Sequence, residues 1–137
     1  MSNRVSKEIT ILDAVLCDSE ADVEGALDLT ERQADRISQV MASPGGRAVI
    51  LFSTSTVTGT PAFTITGIEY TIDGTNFRTW RSFAPVDINA AGELVGPEIT
   101  APFPATATKI RYVMGGSAPD GSNKLVLTSK MRLERVA

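Results

Sequence analysis

At 137 residues, 42% of them apolar and 21% charged, the chain is too apolar for a disordered polymer and long enough for one domain burying roughly two thirds of its unfolded surface. A net charge of −3, with lysine and arginine scattered rather than striped, excludes an electrostatic footprint for nucleic acid. One cysteine excludes a disulfide framework, and the lack of histidine removes the commonest general base and zinc ligand, along with Ser-His-Asp and Cys-His arrangements.

Residues 1–6 are polar and read as a flexible arm ahead of a single domain over 7–137. No apolar run resembles a signal peptide or a membrane span, so synthesis without Sec-type export and no membrane partner are expected. From Lys7 to Cys17 the pattern is a strand apolar on both faces, with Ile9, Ile11 and Val15 on one side and Leu12 and Leu16 on the other. Cys17, at its apolar end, reads as a small buried thiol rather than a nucleophile. Residues 18–24 form an acidic connection. Asp18, Glu20, Asp22 and Glu24 alternate as calcium ligands might be spaced, but the Asp/Asn-Gly ordering of a calcium loop is missing and a solvated loop is favoured. A short strand through Leu27 and Leu29 follows.

Residues 31–42 admit two readings. Thr30 to Gln33 has capping-box spacing and Ala34, Ile37, Val40 and Met41 make a helical face, whereas DRISQVMA also fits a strand. Ser43-Pro44-Gly45-Gly46 is a turn, and Arg47–Val57 a strand central in a sheet. Thr60–Trp80 is the clearest β-hairpin. Phe63 and Ile65 alternate with threonines, the phase slips at Gly67 as at a β-bulge, and Ile68, Tyr70 and Ile72 carry the apolar set to Asp73-Gly74, the reversal. Beyond Trp80 a proline-rich connection carries short strands near Glu93–Val95 and Glu98–Thr100. Lys109–Met114 places Ile110, Tyr112 and Met114 on one side, and GGSAPDGSN is a tip loop. In the last strand Leu125, Leu127, Met131 and Leu133 face the core, while Thr128, Lys130, Arg132 and Glu134 face water. Eight or nine short strands with frequent turns predict an all-β fold, an antiparallel sandwich or jelly-roll-like domain.

Candidate chemistry is thin. Asp73, Asp87 or Glu98 are available as paired carboxylates, as in any acidic protein. Trp80, flanked by Arg78 and Arg81 with Phe77 and Phe83 nearby, reads as a core edge in preference to a stacking platform. Gly45-Gly46 and Gly115-Gly116 precede no phosphate-loop signature. No catalytic residue, cofactor or metal site is expected.

The order of these features resembles small β-sandwich accessory proteins of tailed-phage virions, notably capsid decoration (cement) proteins, over roughly residues 8–135. The pieces that carry it are TGTPAFTI and the turn formed by Tyr70, Asp73, Gly74, Asn76 and Phe77; the proline-rich stretch from Ala84 to Thr108 is unmatched. The resemblance implies a strand over ADRISQVM, which tips that segment toward strand. It also implies a non-enzymatic protein, made in the host cytoplasm, that sits on the outer capsid surface as a dimer or trimer and bridges major capsid subunits. The contacts it suggests are the arm (Ser2, Asn3, Arg4, Val5), the loop (Pro97, Pro102, Phe103, Pro104), and Arg135 and Val136. Phe103 is the best anchor if exposed; equally, it plugs one end of its own sandwich. The alternatives are a tail, collar or head–tail accessory protein, and a carbohydrate-binding module stacking sugars on Trp80, Tyr70 and Tyr112. An enzyme ranks last.

Overall fold

The computed structural model describes residues 4–136, with side chains described from Lys7 to Arg135. Its elements in chain order are β1 (Arg4–Cys17), α1 (Glu20–Val23), β2 (Leu27–Asp28), α2 (Glu31–Ala42), β3 (Arg47–Thr58), β4 (Phe63–Thr71), β5 (Phe77–Ile88), β6 (Gly92–Ile99), β7 (Lys109–Gly116) and β8 (Lys124–Val136). The strands form two four-stranded antiparallel sheets, ordered β1-β8-β3-β6 and β2-β7-β4-β5.

That order follows from folding the chain double about the β4–β5 turn. The first strand meets the last, β2 meets β7, β3 meets β6 and β4 meets β5. Rolling the doubled ribbon then brings β8 against β3 and β7 against β4. The result is the jelly-roll wrapping, with the expected all-β sandwich as its coarser description.

The core lies between the sheets. Ile50, Leu125, Leu127, Met131 and Leu133 of the first meet Phe63, Ile65, Ile68, Ile110 and Tyr112 of the second, all nearly or fully buried. One polar tie crosses it. The buried Tyr112 hydroxyl donates to Ser129 Oγ, whose own proton goes to the Leu51 carbonyl at 3.0 Å. Each buried polar atom in that relay therefore has a partner. Burial pushes the Tyr112 phenol above its ordinary range, the Ser129 bond opposing it, so the hydroxyl stays protonated and able to donate.

The hairpin forms as its sequence reads. Register shifts between Ile65 and Gly67, and a Cβ at Gly67 would come 2.9 Å from the Arg81 carbonyl oxygen, so the slip point needs glycine. Asp73 Oδ1 accepts from the Asn76 and Thr75 backbone N–H groups at 2.8 and 2.9 Å. Asp120-Gly121-Ser122-Asn123 repeats the device, Asp120 Oδ1 accepting from Ser122 N and Asn123 N at 2.8 Å. Asn123 Oδ1 in turn accepts from Thr60 N, tying the tip loop to the β3–β4 turn.

Several expectations are corrected. Residues 31–42 are helix, not strand: Thr30 and Gln33 close both hydrogen bonds of the capping box, and Ala34, Ile37, Val40 and Met41 are the buried face. The strand implied by the resemblance is therefore absent, because local capping and a 3.6-residue period agree with each other there. β1 begins at Arg4, paired with Val136, so residues 4–6 belong to a strand and not to a loose arm; residues 1–3 lie outside the described residues. β1 also breaks its alternation twice, around Leu12, with Ala14 at φ 49° and its N–H on Thr128 Oγ1. Hence Ile11 and Leu12 are both buried while Leu16 is 47% exposed. Within the acidic connection Ser19 caps the short α1 by accepting from Asp22 N. β5 runs to Ile88 and β6 spans Gly92–Ile99, where short strands in a long connection were expected. Both carry a proline, and both are edge strands, where a missing N–H breaks no ladder. Glu134 on β8 is buried, not in water.

Candidate interaction surface

β6 ends the first sheet, so one side of its backbone pairs with β3 and the other meets no strand among the described residues. Its middle is apolar and open: Leu94 is 42% exposed and Val95 69%. Val95 lies opposite Leu51, and Leu94 opposite Phe52. Gly96 makes this close crossing possible, since a Cβ there would come 2.9 Å from the Phe52 ring. The register shift between Val49 and Leu51 sets Gly96 and Pro97 against Ile50, a bulge that places Pro97 where the ladder is already interrupted. A groove of about 370 Å³ crosses the sheet from this edge, lined by Leu94 and Val95 on β6, Leu51 on β3, Thr128 and Lys130 on β8 and Glu8 on β1.

Charges continue across the same face. Arg47 on β3 reaches Glu98 on β6 at 3.1 Å and Glu134 on β8 at 2.7 Å, and Arg132 Nε lies 2.8 Å from Glu134 Oε1. That last contact is an ion pair without an aligned hydrogen bond, since Arg132 Nε is buried with no partner along its N–H. The hydrogen bond to Glu134, and the charges of Glu98 and Glu134, hold the Arg47 pKa above its usual value. The face thus has an apolar edge beside a fixed cation–carboxylate ladder.

The remaining expected residues fall as follows. Phe103 is 4% exposed, wedged edge-on against Trp80 (ring centroids 4.7 Å) and Tyr70 (5.7 Å). It plugs its own sandwich and is not an exposed anchor. Pro102 beside it is exposed, while Pro97, Pro104 and Arg135 are half-buried. Ser2 and Asn3 lie outside the described residues, as do the side chains of Arg4, Val5 and Val136. Trp80 is core, 6% exposed with Nε1–H on the Ala101 carbonyl at 3.1 Å, and Tyr112 is fully buried. With Tyr70 half-buried under Phe103, the three aromatics are packing residues and not an open platform.

The acidic run is divided rather than convergent. Asp22 accepts from Ser19 Oγ at 2.8 Å, and Glu24 Oε2 accepts from Met114 N at 2.9 Å. Asp18 and Asp22 share a hydrogen bond that raises the pKa of Asp18 and lowers that of Asp22. Among the described residues no group of three or more Cys, Asp or Glu is placed to hold a metal ion. Asp73, Asp87 and Glu98 do not converge: Asp73 is spent in its turn, Asp87 sits opposite Thr64 in one sheet, and Glu98 sits opposite Val49 in the other. Cys17 is fully buried, and burial, followed by the charges of Asp22 and Asp18, pushes its thiol up to about 12, so it is not a thiolate at neutral pH.

The exposed apolar pair not singled out from the sequence is Leu94 and Val95. The available signal was an adjacent apolar pair just ahead of Pro97, which marks an edge strand with one residue of each parity turned outward. No protein family, curated protein or solved structure matches the chain.

Proposed function

We propose that this is a non-enzymatic structural protein of a tailed-phage virion, a capsid decoration protein that binds the outer shell and bridges major capsid subunits. The observation that carries the reading is the open edge of β6, where Leu94 and Val95 stand exposed beside unpaired backbone. An uncovered apolar edge is an aggregation hazard unless a partner covers it, and strand addition is a common way for an assembly protein to dock. The resemblance in the pattern of features over roughly residues 8–135 supplies the virion context. Jelly rolls also serve as viral capsid domains, which suits the same reading. As a dimer or trimer, each copy would touch several capsid subunits at once, and the resulting avidity makes release slow although each contact is modest.

Quantitative mass spectrometry and imaging of purified particles test this. Many copies spread over the shell support decoration; a single ring at the tail axis or neck moves the protein to the alternative role of tail, collar or head–tail accessory. Absence from particles overturns both. Leu94→Lys with Val95→Lys is expected to leave the protein folded but strip it from expanded heads.

A further inference from the structure

A second surface, at the opposite end of β3 from the Gly92 end of β6, carries a concentration of positive charge that the fold does not need. Pairing with Leu133 puts Lys7 on the core-facing side of β1, and Arg135, two residues beyond Leu133, keeps the same parity on β8. At every other inward position nearby the residue is apolar, Ile9 and Met131 being the next pair. Here the second sheet gives way to α2, which brings Arg32 and Arg36 to the same groove, about 280 Å³, over a floor of Val40 and Leu133.

The four cations stand outside the salt bridges formed among the described residues, which involve Arg47, Lys109, Arg111 and Arg132. Asp35, the one acid lining the groove among the described residues, accepts from Gln39 Nε2 at 2.9 Å. Lys7 and Arg32 are exposed and Arg36 and Arg135 half-buried, so these are solvated like charges gathered around one groove, mutually repulsive at short range although the chain's net charge of −3 offsets part of that repulsion. Such a cluster makes physical sense when something anionic completes it.

We infer that this groove, formed by Lys7, Arg32, Arg36 and Arg135 over Val40 and Leu133, docks an acidic segment of a partner protein carrying an apolar side chain between its carboxylates. Protein is favoured over nucleic acid because the groove's lining is only partly polar, although Val40 and Leu133 themselves are nearly buried, and because Asp35 lies among the cations, a poor match for a continuous row of phosphates. The acidic remainder of the chain would also repel a long polyanion extending beyond the groove. Arginine contributes paired N–H donors that fit a carboxylate bidentately. The inference is independent of the virion reading and uses a different face.

The test titrates the purified protein with a fluorescent peptide of alternating glutamate and leucine, and in parallel with a single-stranded oligodeoxynucleotide of equal length and with inorganic phosphate. Saturable peptide binding is expected, weakening at least tenfold between low and high salt and at least tenfold in Arg32→Gln/Arg36→Gln, with Lys130→Gln on the other face unchanged. The same double variant, without peptide, is expected to melt at or slightly above the parent temperature, since two solvated like charges contribute little to stability. Equal or tighter binding of the oligonucleotide overturns the protein assignment in favour of nucleic acid. Phosphate competing at millimolar concentration reduces the site to a simple anion pocket. No saturable peptide binding, or unaltered binding by the double variant, overturns the inference outright. The glutamine changes are surface-compatible, so loss of binding is read on folded protein, verified by circular dichroism.

Discussion

The two proline-bearing edge strands, β5 and β6, meet the same problem and solve it differently. Along β5 the loop after Ile99 folds back, setting Phe103 on Trp80 and giving the indole N–H the Ala101 carbonyl. Along β6 no described residue supplies such cover, and Leu94 and Val95 face solvent. The covered edge contributes to stability, since aromatic burial is worth several kcal/mol. The open one contributes little and is free to meet a neighbour. The contrast separates residues that hold the domain together from residues available for docking, although both sets sit on sheet edges.

Truncating the plug should have the largest effect. Phe103→Ala is expected to cost about 3–5 kcal/mol of stability in urea unfolding, by lost transfer and a cavity under Trp80. Leu94→Ala on the open edge should cost less than about 1 kcal/mol in the same measurement. Equal losses would erase the distinction between the edges. Next comes the tie between the sheets. Ser129→Ala strands the Tyr112 hydroxyl in the core and should cost about 1–3 kcal/mol, whereas Tyr112→Phe removes both the donor and its need and should cost about 1 kcal/mol or less. A smaller gain is expected at Ala14, whose left-handed backbone favours glycine: Ala14→Gly should raise stability by about 0.5–1 kcal/mol.

The smallest effect is one of pH. Backbone N–H groups of Asn76 and Thr75 hold Asp73 well below its ordinary 3.8, and those of Ser122 and Asn123 likewise lower Asp120. A carboxyl depressed on folding adds stability that is complete above its unfolded value and is lost as pH falls through the folded one. Stability should therefore decline below pH 3.8, and Asp73→Asn should flatten that acid limb. An acid limb unchanged in the variant would show that the turn carboxylate does not bind its N–H groups in solution.

The hairpin, the central β3 and the inward set of β8 were legible because each is a local pattern: period-two alternation, a glycine at a phase slip, an Asp-Gly reversal. The helix over 31–42 was only half legible: its capping box stood in the sequence, but DRISQVMA fits a strand as well, and the closed cap with its buried 3.6-residue face decides for the helix. The β1 bulge was not legible. Nothing in ITILDAVLC announces that Ala14 turns left-handed, since Thr128 across the ladder supplies the bond that holds it there. The adjacent apolar pair ahead of Pro97 was a signal for the exposure of Leu94 and Val95, whereas Phe103 read equally as anchor or plug, because its burial depends on where a distant segment passes over Trp80. Likewise Lys7 and Arg135 look like ordinary surface charges until the pairing of β1 with β8 puts them on the same side as Leu133.

By itself the sequence determined the all-β class, the central hairpin, β3 and β8, because side-chain period and turn residues act over a few neighbouring positions. The pairing of first strand with last, the choice of which edge is covered, and the gathering of four cations into one groove were decided only in three dimensions. Those outcomes arise between residues scores of positions apart, where register and packing, not local preference, set which side of a strand faces the core.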